Sequence, residues 1–356
     1  MRNKLTLLES FSMSENPDIV IITEHWLVEE EMVTINIINY VVCNYFCRGG
    51  SGYGGVIILA KQNINFKKIN TIPTAPSTFE CCAIIVMLKN LNIKILGLYR
   101  APDSGNIDDF FDYFDETLCK VCDNRRKIQL PIIVCGDFNI DMLTNNSAAD
   151  RLKESIIPHN LNVLNSTATR ITYHSNTQID LFISNIDEYY SNTKTISSGI
   201  SDHLAIVLTL NNINRPKLAT RKHFTRFFSE NSMKEFNNVL LLEKWEQIYQ
   251  AGTLDTKFKN FMHTFFMYFN DLFPKKLSRR RVGAGPLLPE ELVTEGQHLR
   301  DWHRALMNLD SPNTKAQYKA KLLTHKNNID EHEKKSNTRA LKLSKNPSKT
   351  DRKSVV

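Results

Sequence analysis

Pro131 to Asp141 reads PIIVCGDFNID, an apolar run that stops on a glycine and then presents an aspartate and an asparagine. Ile132, Ile133, Val134 and Cys135 have the continuous apolar character of a strand buried on both faces, and Pro131 is tolerated because it opens the strand. Gly136 is expected to let the backbone turn sharply. Asp137 and Asn139 then come to a strand's carboxyl end, where open α/β sheets gather their ligands. Gly, Asp and Asn are also ordinary turn residues, so this stretch alone leaves a plain turn open.

Working outward, other apolar runs border polar groups in the same way. Ile19 to Ile22 precede Thr23-Glu24-His25-Trp26, and Ile93 to Leu96 precede Leu98-Tyr99-Arg100-Ala101-Pro102. Downstream stand Thr169-Arg170, Ile179-Asp180-Leu181-Phe182 and Ser201-Asp202-His203. Between them, helical spacing predicts a helix over Asn3 to Met13, ended by Asn16-Pro17-Asp18, and another over Asp103 to Cys122 through Ile107, Phe110, Phe111, Phe114 and Leu118. A third helix is expected around Asp150 to Ile157. Strands are expected over Ile19–Thr23, Ile35–Phe46, Val56–Ala60, Arg170–Tyr173, Ile179–Ser184 and Leu204–Leu210. Phe79–Leu88 and Asn92–Tyr99 read as an antiparallel pair turned at Lys89-Asn90. The glycine-rich stretch Gly49 to Gly55 has no GK[ST] ending and is flanked by strands, so it reads as a hairpin connection in preference to a phosphate cradle.

The 356 residues are 42% hydrophobic and 23% charged, enough for about two domains and a sizeable core, which excludes a disordered chain. The net charge of +7 conceals a division. Residues 1–210 hold 17 Lys and Arg against 23 Asp and Glu, whereas residues 211–356 hold 28 against 15. An acidic part suits a site that gathers carboxylates around a cation; a basic part suits a partner carrying phosphates, or simply solvated helix faces. All seven cysteines lie in the first 135 residues, an odd number with no secretory segment ahead of them, which points to a reducing, intracellular compartment, nucleus or cytoplasm. Cys119 and Cys122 have half the spacing of a zinc site, but no second pair follows, so they read as packing residues. No apolar run reaches the ~18–20 residues needed to span a bilayer, and no membrane partner is expected.

Beyond Asn211 the pattern changes. Phe258, Phe261, Phe265, Phe266, Phe269 and Leu272 recur at helical spacing and read as a packed helix in preference to a base-stacking platform. Lys275 to Arg281 is a basic cluster, readable as a nuclear address or a solvated linker. Glu290–Leu309 and Asn313–Leu343 look helical and highly charged, with few apolar positions, as helices that fray or lack a partner. Three regions are expected: a domain over 1–210, a linker and helical connector over 211–285, and a charged, partly disordered helical tail over 286–356.

The series TE-x-W, YR-x-P, GDFN, IDL and SDH resembles the endonuclease/exonuclease/phosphatase family, and within it the endonuclease domains of insect jockey-type non-long-terminal-repeat retrotransposons. GDFN and SDH together are specific where each alone is weak. The resemblance implies an α/β fold, a four-layered α/β sandwich of two mixed β-sheets packed face to face with helices outside, followed by an α-helical segment. It also implies a Mg²⁺-dependent DNA endonuclease, with Mn²⁺ as the alternative ion, acting before a reverse transcriptase in full-length relatives. DNA is the implied partner, through the active site and through the basic C-terminal half. Glu24 and Asp202 match metal carboxylates. Asp137 matches the group that orients or deprotonates the attacking water, and Asn139 the one that positions phosphate and Asp137. His203 matches the histidine on a phosphate oxygen, with Asp180 fixing its tautomer. Tyr99 matches the tyrosine that steadies phosphate or leaving group, and Thr169 and Arg170 stand where substrate-facing groups do. The family's first strand, which bears a metal-binding asparagine, precedes the helix with which this sequence opens, and on that ground impaired activity is expected. The rivals are a non-catalytic remnant that binds nucleic acid and a repair nuclease or phosphatase of the same fold.

Overall fold

Helix α1 (Leu5–Glu15) ends at Asn16, whose left-handed φ of 49° turns its N–H onto the Ser12 carbonyl just ahead of Pro17. The structure, a computed structural model, describes residues 1, 3–32, 35–49, 53–89, 91–102, 107–122, 130–187, 191–211, 221–226, 228–280, 288–309 and 311–343. After α1 come β1 (Ile19–Thr23), a short helix α2 (Glu29–Met32), β2 (Tyr40–Phe46) and β3 (Val56–Lys61). These strands form an antiparallel sheet ordered β1-β3-β2, with the apolar β3 in the middle, buried along almost its whole length. β2 and β3 pair antiparallel, and residues 50–52 of the glycine-rich stretch between them, read as a hairpin connection, lie outside the described residues.

A six-stranded mixed sheet follows from β4 (Asn65–Ile69), β5 (Glu80–Met87), β6 (Asn92–Tyr99), helix α3 (Ile107–Val121), β7 (Ile132–Asp137), helix α4 (Ser147–Ile156), β8 (Asn162–Val163), the small hairpin β9 (Arg170–Ile171) and β10 (Asn176–Thr177), and β11 (Asp180–Ser184). Its order is β4-β5-β6-β7-β11-β8. Only the β6–β7 pair among these is parallel, and α3 makes the crossover that a parallel pair needs. Phe110, Phe111, Phe114 and Leu118 of α3 pack with Phe79, Leu98, Val134 and Phe138 from the sheet and its rim. Each such buried ring stabilises the fold by about 1.5–3 kcal/mol. A pair of strands, β12 (Ser191–Ser197) and β13 (Leu204–Leu210), completes this region.

Three clusters define the layers. The first lies between the six-stranded sheet and α3 with α4. The second lies between the sheets, where Val56 and Ile58 of β3 meet Ile84, Ile95, Ile133 and Cys135. The third places Leu8 of α1 and Met32 against Ile57 and Leu59 on the outer face of β3. Helix, sheet, sheet, helix is the four-layered sandwich. Gly97 sets the spacing of the sheets: a Cβ there would stand 2.8 Å from Val56 Cγ1 and 2.9 Å from Ile21 Cγ2.

Several local expectations are corrected. The sequence around GDFN does not turn at Gly136. The strand runs on to Asp137, and the left-handed residue is Asn139, φ 50°. The strand expected from Ile35 begins only at Tyr40, after Asn39 at φ 69°. β4 and β12 were not legible because each is a polar edge strand with one buried face at most. Cys122 is buried in the core, while Cys119 is exposed on α3. Among the described residues no helix is long and apolar enough to cross a membrane.

By compact packing the chain divides into Met1–Lys217 with Ala284–Val356, and Leu218–Gly283. The second unit contains β14 (Arg221–Arg226), α5 (Glu230–Leu242), α6 (Glu246–Tyr249), α7 (Leu254–Leu272) and β15 (Lys275–Arg280). The basic stretch read as an address or linker pairs antiparallel with β14, so this segment is not wholly helical. Of the α7 aromatic stripe, Phe265 and Phe269 pack on Phe236, whereas Phe258, Phe261 and Phe266 are exposed.

The last two helices, α8 (Glu290–Met307) and α9 (Pro312–Leu343), belong to the first unit and find their partner in α1. Thr6 donates to Asp330 at 2.9 Å, and Glu9 stands near Glu333 and Asp330. Burial, then the charge of Glu333, pushes the Glu9 carboxyl up to about 7, against the opposing hydrogen bond from the Ile38 N–H. A carboxyl raised above its unfolded value weakens the fold once ionised. That penalty is complete above pH 7, shrinks as pH falls through 7, and is gone below the unfolded value near 4.5. Glu9→Gln should therefore raise the thermal midpoint by several degrees at pH 8 and leave it unchanged at pH 4, as read by calorimetry. An equal shift at both pH values would assign the effect to packing.

Candidate functional site

Strand register alone assembles a row of polar side chains. Glu80 pairs with Tyr99 across β5 and β6, Tyr99 with Asp137 across β6 and β7, and Asp137 with Asp180 across β7 and β11. Four neighbouring strands thus carry Glu80, Tyr99, Asp137 and Asp180 at one end of one sheet.

Asp137 is 3% exposed. Its Oδ1 accepts the Asn139 backbone N–H at 3.0 Å, a bond that the left-handed Asn139 makes possible. The Asn139 side chain points elsewhere, its Nδ2 donating to the Arg100 carbonyl at 2.6 Å. Burial, followed by the charge of Asp180, pushes the Asp137 carboxyl up, while His203 and the Asn139 N–H oppose and Glu24 adds to the rise.

His203 arrives from the loop between β12 and β13. Its Nδ1 lies 2.8 Å from Asp180 Oδ2, leaving Nε2 as the outward atom. Burial works against the charged ring. The Asp180 hydrogen bond and the charges of Asp180, Asp137 and Asp202 outweigh it and raise His203 to about 9, so the imidazole is protonated near neutral pH. Asp202 is held low: burial opposes this, but His203 and Arg170 dominate, and Arg170 Nε donates to its Oδ2 at 3.0 Å. Arg170 itself is exposed.

Glu24 has a left-handed φ of 52°; its Oε2 accepts the Trp26 indole N–H at 3.2 Å. Burial, then the neighbouring Glu24 carboxylate, pushes the Tyr99 phenol up and keeps it protonated. Arg48 lies over the Tyr99 ring, 5.8 Å from its centroid, and is ion-paired with the fully buried Glu80. Glu80 also accepts the Gly55 and Ser77 backbone N–H groups at 2.6 and 2.9 Å, so it is fully engaged. His25, although adjacent to Glu24, is a packing residue. Its Nδ1 accepts from the Leu27 N–H and its Nε2 lies 2.9 Å from the Phe46 carbonyl.

Thr169 departs from its expected substrate-facing place. It is fully buried, and its hydroxyl accepts the N–H groups of Ile179 and Asp180 at 3.2 and 3.1 Å, so it fixes the start of β11. Sequence reading gave no role to two further residues. Arg100, buried, donates from Nε to the Phe138 carbonyl and from its terminal nitrogen to the Asn139 carbonyl, both at 2.8 Å, and so clamps the GDFN turn. Asn165 donates to the Asp180 carbonyl and accepts from the Phe182 N–H. Arg100 was findable beside Tyr99 in the YR pair. Nothing local marked Asn165.

Among the described residues Asp137, Asp180 and His203 form a group whose ligand-type atoms all lie within 4.8 Å of one another. Glu24 and Asp202 stand outside that group but act on it, Glu24 on Asp137 and Asp202 on His203. Hard carboxylate oxygens are the donors that Mg²⁺ and Mn²⁺ take, and the mutual repulsion felt by Asp137 marks an excess of negative charge that a cation would relieve. The carboxylates at this end of the sheet therefore fit a divalent ion, whereas protonated His203 offers it no lone pair.

Residues 93–207 match the family model described as endonuclease-reverse transcriptase. No curated protein matches the chain. Among solved structures, the endonuclease domain of TRAS1, a telomere-specific non-LTR retrotransposon, is 16% identical; the match covers 59% of this chain and 94% of that one, with a TM-score of 0.47. An endonuclease/exonuclease/phosphatase family protein from Leptotrichia buccalis is 16% identical, over 59% and 93%, with a TM-score of 0.42. A 3′-5′ exonuclease from Neisseria meningitidis is 14% identical, over 59% and 95%, with a TM-score of 0.43.

Proposed function

We propose that this chain, which resembles the endonuclease/exonuclease/phosphatase family, is a Mg²⁺-dependent DNA endonuclease of retrotransposon origin that nicks its target by hydrolysing one phosphodiester. The observation that carries the reading is the join of a buried, repelled carboxylate with a protonated histidine braced by a second carboxylate: Asp137, His203 and Asp180.

A phosphodiester resists attack because its anionic oxygens repel nucleophiles. The buried Asp137, its carboxyl pushed up by burial and by the charge of Asp180, is the group to orient and deprotonate water. Protonated His203 presents Nε2 as a donor for charge that builds on a phosphate oxygen, and Asp180, bonded to Nδ1, holds the ring in that orientation. Tyr99, held protonated beside Glu24, is a second donor. Glu24 and Asp202 would hold the divalent ion, which supplies Lewis-acid neutralisation of the phosphate oxygens. Arg170 meets the backbone of the substrate strand, and the basic residues of the 211–356 portion add affinity that is independent of base sequence.

The purified chain with supercoiled plasmid and Mg²⁺ should yield nicked circles, and EDTA should abolish them. The charge excess of residues 211–356 favours a second reading, a remnant that binds nucleic acid without cleaving it. Binding without nicking at any Mg²⁺ or Mn²⁺ concentration would establish that reading. Cleavage of small phosphomonoesters with DNA left intact would assign a phosphatase.

A further inference from the structure

The loop that delivers Asp202 and His203 rests on helices from far downstream. Ser197, buried at the end of β12, has its hydroxyl 3.0 Å from His303 Nδ1 on α8. Gly199, at a left-handed φ of 69°, faces both helices: a Cβ there would meet the Tyr318 hydroxyl of α9 at 3.4 Å and Arg300 Cγ of α8 at 3.6 Å. Tyr318 is 6% exposed, its ring packed against those of His303 and Trp302 with centroids 5.3 and 5.7 Å apart. The charge of Asp202 acts on the His303 ring.

The helices are fixed in turn. Gly296 permits the close approach of α8 to α9 and α1, since a Cβ would stand 3.2 Å from His325 Nε2 and 3.5 Å from Ser10 Oγ. Arg300 donates to Ser14 Oγ at 2.7 Å and lies over the Phe11 ring. The backbone N–H groups within the loop bond locally, Ile200 to Ser198 Oγ and His203 to Ser201 Oγ, both at 3.2 Å. The side chains of Asp202 and His203 reach Arg170 and Asp180, so the 202–203 end is held toward the sheet, while residues 197–200 make no such bond to it among the described residues. At the β13 end the Leu204 N–H is tied to the Thr169 carbonyl at 2.6 Å; at the β12 end Ser197 is tied to His303, and Gly199 comes close to the Tyr318 hydroxyl, which makes no hydrogen bond among the described residues.

We propose that α8 and α9 are a positioning element of the hydrolytic site, with His303 and Tyr318 anchoring residues 197–199 and thereby the placement of His203 against Asp180. The inference rests on the reading of that site as a phosphodiesterase. His303 and Tyr318 touch neither substrate nor metal in this account; they act through the loop.

The test uses the full chain carrying His303→Ala, His303→Asn or Ser197→Ala. Hydrogen exchange in metal-free protein is measured at Ile200, His203 and Leu204, together with the imidazole proton resonance of His203. Loss of the anchor should accelerate loop exchange about 10-fold and broaden the His203 signal, while kcat for nicking falls about 10-fold at unchanged KM. Asparagine, which can still bond Ser197, should restore both. Ser197→Ala should reproduce His303→Ala without disturbing α8, and the double variant should be no worse than either alone. Unchanged exchange and unchanged His203 resonance in a folded Ser197→Ala protein would overturn the proposal. If the parent does not nick DNA, the functional reading fails, and the exchange and resonance data still decide whether the helices position the loop.

Discussion

Asp137→Asn should reduce plasmid nicking by about 10²- to 10⁴-fold while the protein folds at least as stably as the parent. The two effects have one origin. Asp137 sits almost fully buried opposite Asp180 in the β7–β11 register, so an ionised carboxylate there lacks water and meets a like charge. The isosteric amide keeps an oxygen for the Asn139 N–H, removes the charge, and relieves the repulsion. It cannot take a proton from water. Burst-free initial rates and a thermal scan on the same preparation measure both consequences. A variant that nicks as fast as the parent would remove Asp137 from the chemistry, and a marked drop in midpoint would make its carboxylate structural.

Gly136→Ala should cost on the order of 2–6 kcal/mol, adding about 1–3 for positive-φ strain to about 1–3 for overpacking, a large fraction of the ~5–15 typical of a domain. At φ 147° an added Cβ would stand 1.8 Å from the Leu98 carbonyl oxygen and 2.8 Å from its carbon. That oxygen belongs to the backbone of β6, which β7 pairs with directly, so no side chain can swing aside. The strands must part, and with them Tyr99 and Asp137, which share the next register position. Urea unfolding compared with Gly49→Ala, where nothing lies within 4 Å, isolates the contact from the generic effect of replacing glycine. Equal midpoints in the two variants would show that β6 and β7 slide past the obstacle.

The site was legible where one short segment carries both the fold signal and the chemistry. β7 announces itself because a strand buried on both faces must be apolar throughout, and a polar residue at its end has few reasons to be there. The same pattern set polar residues beside the apolar runs of β1, β6 and β11, and the family resemblance picked out Glu24 after β1, Tyr99 at the end of β6 and Asp180 at the head of β11 among them. Helix α3 was legible from its phenylalanine spacing, since one helical face must cover a sheet. Edge strands β4 and β12 were not, because an exposed edge tolerates polar residues that look like loop.

By itself, then, the sequence determined the α/β class and the central strands, consequences of local burial period, while the residues of the candidate site came from the family resemblance of the motifs at the strand ends. Only the tertiary structure decided how those residues serve one another. Pairing register set Asp137 beside Asp180 and Tyr99, turned Thr169 inward, and made Gly136 a point of strand contact where a turn was expected. It also set α8 and α9 against α1 and under the Asp202-His203 loop, joining Ser197 to His303 and Thr6 to Asp330. Such contacts lie beyond the reach of any periodicity, because their energy comes from surfaces that meet only after the chain between them has folded.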